Sequence, residues 1–353
     1  MKQRTVFPCK VKKLIDGINV MLTIKNRLML FFSILIILPL LAVSVISYFR
    51  FSSYAENITI KSKFDMSKSA IEEINIIKDR DERVSDQIIL NKSMQKALYS
   101  QSVSDGVQAY EEKKSINSYL SSMTDSRNVS GIAVIGMNGK EYMTINVDLL
   151  SIKNTEDVKQ LLSNPVFVKS KGNIVWMPAR KNIFVSPYNV VALDSDNLYL
   201  YIVRRINKLE NAKQEIGICI VQFVYDRLLR ILKDTASGDG EYCIVTDASG
   251  IIMCHTGDPA LIGTELDNPA WEKIKTGSEG SFYNSIGDNK YLMLFIKSKT
   301  SGWYIIQAVP QKNILEESVK IRNFTFITMF FCLLVALLLS VLFSRILPIR
   351  LFA

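Results

Sequence analysis

The chain contains a single histidine, His255, among its 353 residues. That scarcity excludes most imidazole chemistry. A catalytic triad needs a histidine beside its nucleophile, and Ser195, within Asp194-Ser-Asp196, has no such partner and reads as a turn residue. His255 is expected at a strand end in the outer part of the molecule, where it cannot serve as a cytoplasmic phospho-acceptor. Phosphate-cradling patterns are missing too: there is no Gly-Lys-Ser/Thr loop and no Gly-x-Gly-x-x-Gly. The five cysteines include no Cys/His cluster at zinc spacing. No catalytic residue, metal site or cofactor is therefore expected.

Cysteine is also too sparse for a disulfide framework. Cys219, Cys243 and Cys254 share the middle of the chain, while Cys9 and Cys332 lie towards its ends. If Asp247-Ala-Ser-Gly250 is a hairpin turn, Cys243 and Cys254 stand opposite each other. A cross-strand disulfide and two small buried apolar side chains are both open readings.

Charge is absent from two long blocks, Leu28 to Phe49 and Phe324 to Phe343. At ~1.5 Å per helical residue, each is long enough to cross a ~30 Å hydrocarbon core. The net charge of +9 is unevenly spread. Between Phe51 and Arg322 there are 33 Lys/Arg and 33 Asp/Glu, whereas residues 1 to 27 carry seven basic residues against Asp16 alone. Arg50, Arg345 and Arg350 supply the rest. Basic excess confined to the flanks of apolar spans is the positive-inside pattern, so both termini are expected in the cytoplasm. A nucleic-acid interface would instead concentrate charge on a folded domain, and none is expected. Ala42-Val43-Ser44 loosely resembles a signal-peptide cleavage site, but the apolar block exceeds the ~7–15 residues of such signals. A start-site extension is an alternative reading of the basic stretch before Met21, since Met21-Leu-Thr-Ile-Lys-Asn-Arg would itself make a cytoplasmic lead-in.

Glycine and proline are missing from Leu40 to Asp105. Apolar residues recur there at helical spacing through Ile60, Phe64, Ile71, Ile74, Ile77, Val84 and Ile88, which predicts a long helix over 51–100 running on from the first span. A second helix is expected over 107–125. The period then changes to two. Strands are predicted at 130–136 and 140–146 around the turn Met137-Asn-Gly139, and at 197–204 and 215–224, with a short helix over 156–163 and another over 225–233. After Ser237-Gly-Asp-Gly240 the same grammar restarts: strands at 241–247 and 251–255, a helix near 269–275, then strands at 281–286, 290–296 and 303–309. The expected fold is α+β, with two membrane helices flanking a tandem PAS-like extracytoplasmic domain.

Three stretches carry a family resemblance: Ile244-Val-Thr-Asp-Ala-Ser-Gly-Ile-Ile, Leu261-Ile-Gly-Thr, and Gly302-Trp-Tyr-Ile-Ile-Gln-Ala-Val-Pro310. They resemble the membrane-proximal module of double Cache (dCache) domains, and residues 131–224 resemble the distal module. Pro39 within the first apolar block and Ser344-Arg-Ile after the second are similar to YesM-type sensor histidine kinases of Gram-positive bacteria. The resemblance implies a cytoplasmic segment over 1–27, spans over 28–49 and 323–344, and an outer domain over 50–322. Within that domain it implies a distal module over 105–235 and a proximal module over 240–310. Residues 345–353 start like a HAMP linker and stop, so the chain as given reads as truncated or fragmentary, without a kinase core.

The resemblance also places a small-molecule pocket in the distal module. Its candidate residues here are Tyr142, Trp176, Arg180, Tyr188, Asp194, Tyr199, Tyr201 and Arg204. Aromatic faces with a few convergent polar groups suit sugars or zwitterions. Tyr199 and Tyr201 alternate with Leu198, Leu200 and Ile202, so both tyrosines point to one sheet face. The Arg-x-Trp-Tyr string of amino-acid-binding relatives is absent, and carbohydrate-related signals are what the resemblance favours. The implied partners are the lipid bilayer, an extracellular solute or a solute-binding protein, and a second copy of the chain. Input regions of chemoreceptors and cyclase-linked sensors share this layout, and a stand-alone membrane-anchored binding module fits it as well.

Overall fold

The computed structural model describes residues 24–100, 106–125, 127–144, 151–152, 162–169, 173–181, 184–185, 197–266 and 268–350. Lys61–Gln311 forms one compact unit, and residues 1–60 with 312–353 fall in a second.

A 67-residue helix, α1 (Ile24–Leu90), opens the chain. No glycine follows Pro39 to loosen it, and its buried stripe of Ser67, Ala70, Ile71, Ile74, Asp81, Ser85 and Ile88 keeps helical spacing. It stops earlier than the sequence pattern predicts. Asn91 leaves the helix with extended backbone, and its side chain accepts from the Met94 amide at 3.0 Å, capping a separate helix, α2 (Lys92–Tyr99). The helix α3 (Gly106–Ser122) follows.

Five strands then make the first sheet: β1 (Val129–Gly136), β2 (Glu141–Met143), β4 (Val175–Lys181), β6 (Leu198–Lys208) and β7 (Asn211–Val224). A separate two-stranded ribbon pairs β3 (Ser151–Ile152) with β5 (Phe184–Val185), and the short helix α4 (Pro165–Lys169) lies between them in the chain. The sheet order is β2-β1-β7-β6-β4, with every pairing antiparallel. Strand β4 is not foreshadowed by the sequence pattern, because Pro178 sits in its middle. As an edge strand β4 tolerates a residue that cannot donate to the ladder. The helix expected over 156–163 lies mostly outside the described residues.

Helix α5 (Asp226–Thr235) leads to the second sheet, built from β8 (Tyr242–Thr246), β9 (Ile252–His255), β10 (Glu279–Ile286), β11 (Asn289–Lys297) and β12 (Tyr304–Pro310), with α6 (Asn268–Ile274) between β9 and β10. Its order is β10-β11-β12-β8-β9. If strands are counted afresh in each module, both sheets run 2-1-5-4-3, the same topology twice. The turn after β8 depends on Gly250, whose φ is +94° and whose absent Cβ would lie 2.7 Å from the Trp271 ring. Helix α7 (Gln311–Arg350) closes the chain.

One core joins a face of each sheet to α1. It holds Ile71, Ile74 and Ile88 of the helix, Ile202, Val221 and Phe223 of the first sheet, Leu228 and Leu232 of α5, and Val245, Met253 and Ile305 of the second sheet. At about 1.5–3 kcal/mol per fully buried aliphatic or aromatic side chain, this shared interior makes α1 part of both modules rather than a tether.

The expected Cys243–Cys254 opposition is not found. A bulge between Val245 and Thr246 sets Cys254 opposite Val245 and His255 opposite Ile244, so the two cysteines are out of register. Both are buried free thiols.

Among the described residues, no helix is long and apolar enough to cross a membrane. The blocks 28–49 and 324–343 lie within α1 and α7, and some of their side chains fall outside the described set. Several that are described face outward, among them Phe31, Leu38, Phe49, Phe330, Phe331 and Leu338.

Candidate functional site

The sequence-derived candidates divide between the two faces of the first sheet. Tyr142, Trp176 and Arg204 lie on the face towards α1 and α3, where protein groups satisfy them. The Tyr142 hydroxyl donates to Glu112 Oε1 at 2.7 Å, and burial, reinforced by that carboxylate, pushes its pKa up. Trp176 Nε1 donates to Glu82 Oε1 at 2.8 Å, and its ring stacks on Phe223 at 5.6 Å. The Arg204 guanidinium pairs with Asp86. Tyr188 and Asp194 lie outside the described residues.

Tyr199, Tyr201 and Arg180 occupy the opposite face. Tyr199 and Tyr201 pack with Ala133, Phe167, Val175, Met177, Val203 and Ile220 in a second apolar cluster. The Tyr201 hydroxyl donates to the Lys181 carbonyl at 3.1 Å. Arg180 reaches this face through an irregularity. Met177 is opposite Tyr201, but Arg180 is opposite Tyr199, so β4 carries one extra residue between them. Ala179 consequently turns to the α1 side, where it is buried in the main core. A bulge of this kind re-aims the next side chain. Without it, strand alternation would send Arg180 towards α1.

A fourth polar residue, Gln222, escaped the sequence reading. It is opposite Tyr201 on one side and Gly131 on the other, with only 2% of its surface exposed. The usable signal was a lone amide in the otherwise apolar run Ile218-Cys-Ile-Val-Gln-Phe-Val224. Arg180 Nε and Gln222 Oε1 are both buried with no hydrogen-bond partner among the described residues. Arg205 Nε, over the Phe167 ring on the same face, is a third such atom. A buried polar atom left unpaired costs about 1–3 kcal/mol, so this face holds three unmet demands.

The matching face of the second sheet differs. Ile244, Ile252, Ile274, Met293, Phe295, Tyr304, Ile306 and Ala308 fill it, with Trp271 and Phe282 packed alongside. Its sheet carries one unpartnered buried side-chain atom among the described residues, Thr246 Oγ1. His255, at the end of β9, is a structural residue: Nδ1 accepts from the amides of Gly257 and Asp258 at 2.9 and 2.8 Å.

The periplasmic sensory domain of the Campylobacter jejuni chemoreceptor Tlp1 superposes with a TM-score of 0.50 and 12% identity, covering 74% of this chain and 98% of that domain. The two antiparallel sheets and the long helix match the fold of that domain. Among curated proteins, the sensor histidine kinase YesM of Bacillus subtilis (strain 168) is 22% identical over 312 residues, 85% of this chain and 48% of that protein. The methyl-accepting chemotaxis protein McpA of the same organism is 20% identical over 237 residues, 66% of this chain and 36% of that protein. The chain thus spans about half the length of YesM and about a third of McpA. No family model matches the chain. The weak homology to YesM agrees with the double Cache architecture. Arg180, Tyr199, Tyr201 and Gln222 all lie on the first of its two sheets.

Proposed function

We propose that this chain is the sensing region of a two-pass bacterial membrane receptor of the sensor-histidine-kinase type, which detects a small extracellular solute on the outer face of its distal sheet. The observation that carries this reading is the contrast between the two modules. The distal face presents two tyrosines and three unpaired buried polar atoms, Arg180 Nε, Arg205 Nε and Gln222 Oε1, whereas the proximal face is closed by aliphatic and aromatic packing. A mostly apolar surface with a few fixed polar groups is what a small-molecule site requires.

The charge-free blocks 28–49 and 324–343, flanked by basic residues, support spans on either side of an outer domain. The outward-facing phenylalanines and leucines of α1 and α7 fit lipid contact. The domain boundaries expected from the sequence belong to the same proposal, as do dimerisation along the 51–88 part of α1 and an encounter with a solute-binding protein. Signalling would require the solute to prefer one arrangement of the helices over another, since equal affinity shifts no population. The similarity to McpA keeps a chemoreceptor output as the second reading.

Two measurements test the proposal. Alkaline phosphatase inserted after Lys208 should be active in a bacterial host, and the same reporter fused after Met21 should be inactive; the reverse pattern would overturn the topology. In a thermal-shift screen of the whole chain in detergent against sugars, amino acids and organic acids, at least one solute should raise the melting temperature, and Tyr201→Ala should remove the shift. A solute whose effect survives Tyr201→Ala would move the site elsewhere.

A further inference from the structure

We propose that Lys63, Ser67, Glu241 and Gln307 form a register lock: a buried polar cluster that admits one height of α1 against the second sheet and excludes a one-turn slide between them. The lock belongs to the frame of the domain and holds wherever on that frame a solute binds.

Gln307 is the centre of the cluster. It is the lone amide in the apolar strand Tyr304-Ile-Ile-Gln-Ala-Val-Pro310, opposite Cys243 on one side and Leu294 on the other. Its exposed surface is 0%, so its amide must find every partner inside the protein. Gln307 Oε1 accepts from Ser67 Oγ of α1 at 3.1 Å. Its Nε2 donates to the carbonyl of Thr235, the last residue of α5, at 2.9 Å and to Glu241 Oε2 at 3.3 Å. The same carboxylate oxygen accepts from Lys63 Nζ at 2.7 Å. Only glycine at 238 leaves room for this arrangement. A Cβ there would lie 2.3 Å from Glu241 Oε1 and 2.6 Å from its carboxyl carbon, and would push the carboxylate off Lys63 and Gln307. Among the described residues, no buried polar atom of the four side chains lacks a partner.

The rest of α1 makes the match unique. Asn75 Oδ1 accepts from Ser298 Oγ and Ser301 Oγ, both at 2.8 Å, and Asp81 pairs with Arg227. Ile71 and Ile74 lie in the core between these polar points, and the order of polar and apolar positions does not repeat from turn to turn. A slide of one turn, about 5.4 Å, in one direction sets Ile71 against Gln307 and carries Asn75 into the core place of Ile71. In the other direction it sets Ile71 against Ser298 and Ser301, and Ile77 against Arg227. Either move strands buried polar atoms, which is costly. An element that ratchets one turn past its neighbour needs two matching registers, and α1 has one. Gln311 opens α7 four residues after Gln307, so the lock holds α1 level with the strand that runs into that helix.

Two measurements on the whole chain in detergent test the lock. Neither uses a solute, so failure of the lock leaves a small-solute sensor standing. In hydrogen exchange read by mass spectrometry, Gln307→Leu should speed exchange about tenfold or more in both 61–71 and 235–243, the scale of one buried hydrogen bond lost. Ile305→Val, buried in the core on the same strand, should not single out those two segments. Ser67→Ala, a milder change, should speed the same two segments by a smaller factor, and it carries the test if Gln307→Leu does not fold. For the register itself, Cys9 and Cys332 are replaced by serine and spin labels are placed at Glu73→Cys and Asp288→Cys, both exposed positions. The labels should report one narrow distance, and adding Ser67→Ala with Gln307→Leu should widen it by up to about 5 Å. Acceleration confined to 304–310, or a distance that stays narrow once the cluster is removed, overturns the lock.

Discussion

Trp176 of the first sheet and Trp303, beside β12 of the second, meet edge to face with ring centroids 5.5 Å apart. Lys78 of α1 lies over both rings, at 5.7 and 5.6 Å, and pairs with Glu82, which in turn accepts from Trp176. The two modules and the long helix therefore share one node, and Trp176 belongs to the same strand as Arg180.

That node should be measurable as coupling. In a double-mutant cycle with Lys78→Met and Trp303→Leu, an interaction energy of about 0.5–2 kcal/mol is expected from chemical denaturation. Strict additivity of the two substitutions would mean that Lys78 does not bind the rings.

Asp81 and Arg227 form a second tie between α1 and the segment joining the modules. Burial raises the Asp81 pKa despite Arg227 and Arg80, and burial also lowers that of Arg227. Removing one partner strands the other. Arg227→Met is expected to destabilise the fold by about 3 kcal/mol, and adding Asp81→Asn should recover part of that loss. A double variant no more stable than Arg227→Met alone would contradict the pairing.

Stability should depend on pH through His255. Burial lowers its pKa below 6.5, against the opposing pull of Asp258, and Tyr242 stacks on its ring at 5.1 Å. Because the folded state prefers the neutral ring, the unfolded chain binds more protons below pH 6.5. The stabilisation is therefore complete above that value and is lost as pH falls towards the depressed folded value. Melting temperatures between pH 7 and pH 5 should fall more steeply for the natural protein than for His255→Gln. Parallel curves would exclude His255 as a source of the slope.

The buried thiols should be unreactive but unlinked. Burial pushes Cys219 and Cys254 up to about 12 and Cys243 higher still, so almost no thiolate is present at pH 8. Iodoacetamide should label none of the three in the folded protein and all three after unfolding without reductant, as read by peptide mass spectrometry. A Cys243–Cys254 linked peptide from unreduced protein would refute the bulged register.

Much of the fold was legible because its signals are local. The strand-turn-strand grammar at 130–143 and 242–255 appears where alternation and Gly139 or Gly250 said it would, and the long helix follows from an absence of breakers. Its end at Leu90 was missed because the cap is one asparagine. Strand β4 was missed because Pro178 argues against a strand until its place at the sheet edge is known. The alternation of Tyr199 and Tyr201 placed them together, but not on the face away from α1, since a strand pattern names two faces without saying what covers each.

The sequence by itself determined the segments, their periods and the placement of charge, all properties of neighbours along the chain. Tertiary structure alone decided which candidates were already satisfied. Tyr142, Trp176 and Arg204 find Glu112, Glu82 and Asp86 across 30, 94 and 118 residues of sequence, while a one-residue bulge turns Arg180 to the other face, where its Nε and Gln222 Oε1 have no partner among the described residues. Hydrogen-bond satisfaction is a matter of distances in space, and no local pattern encodes it.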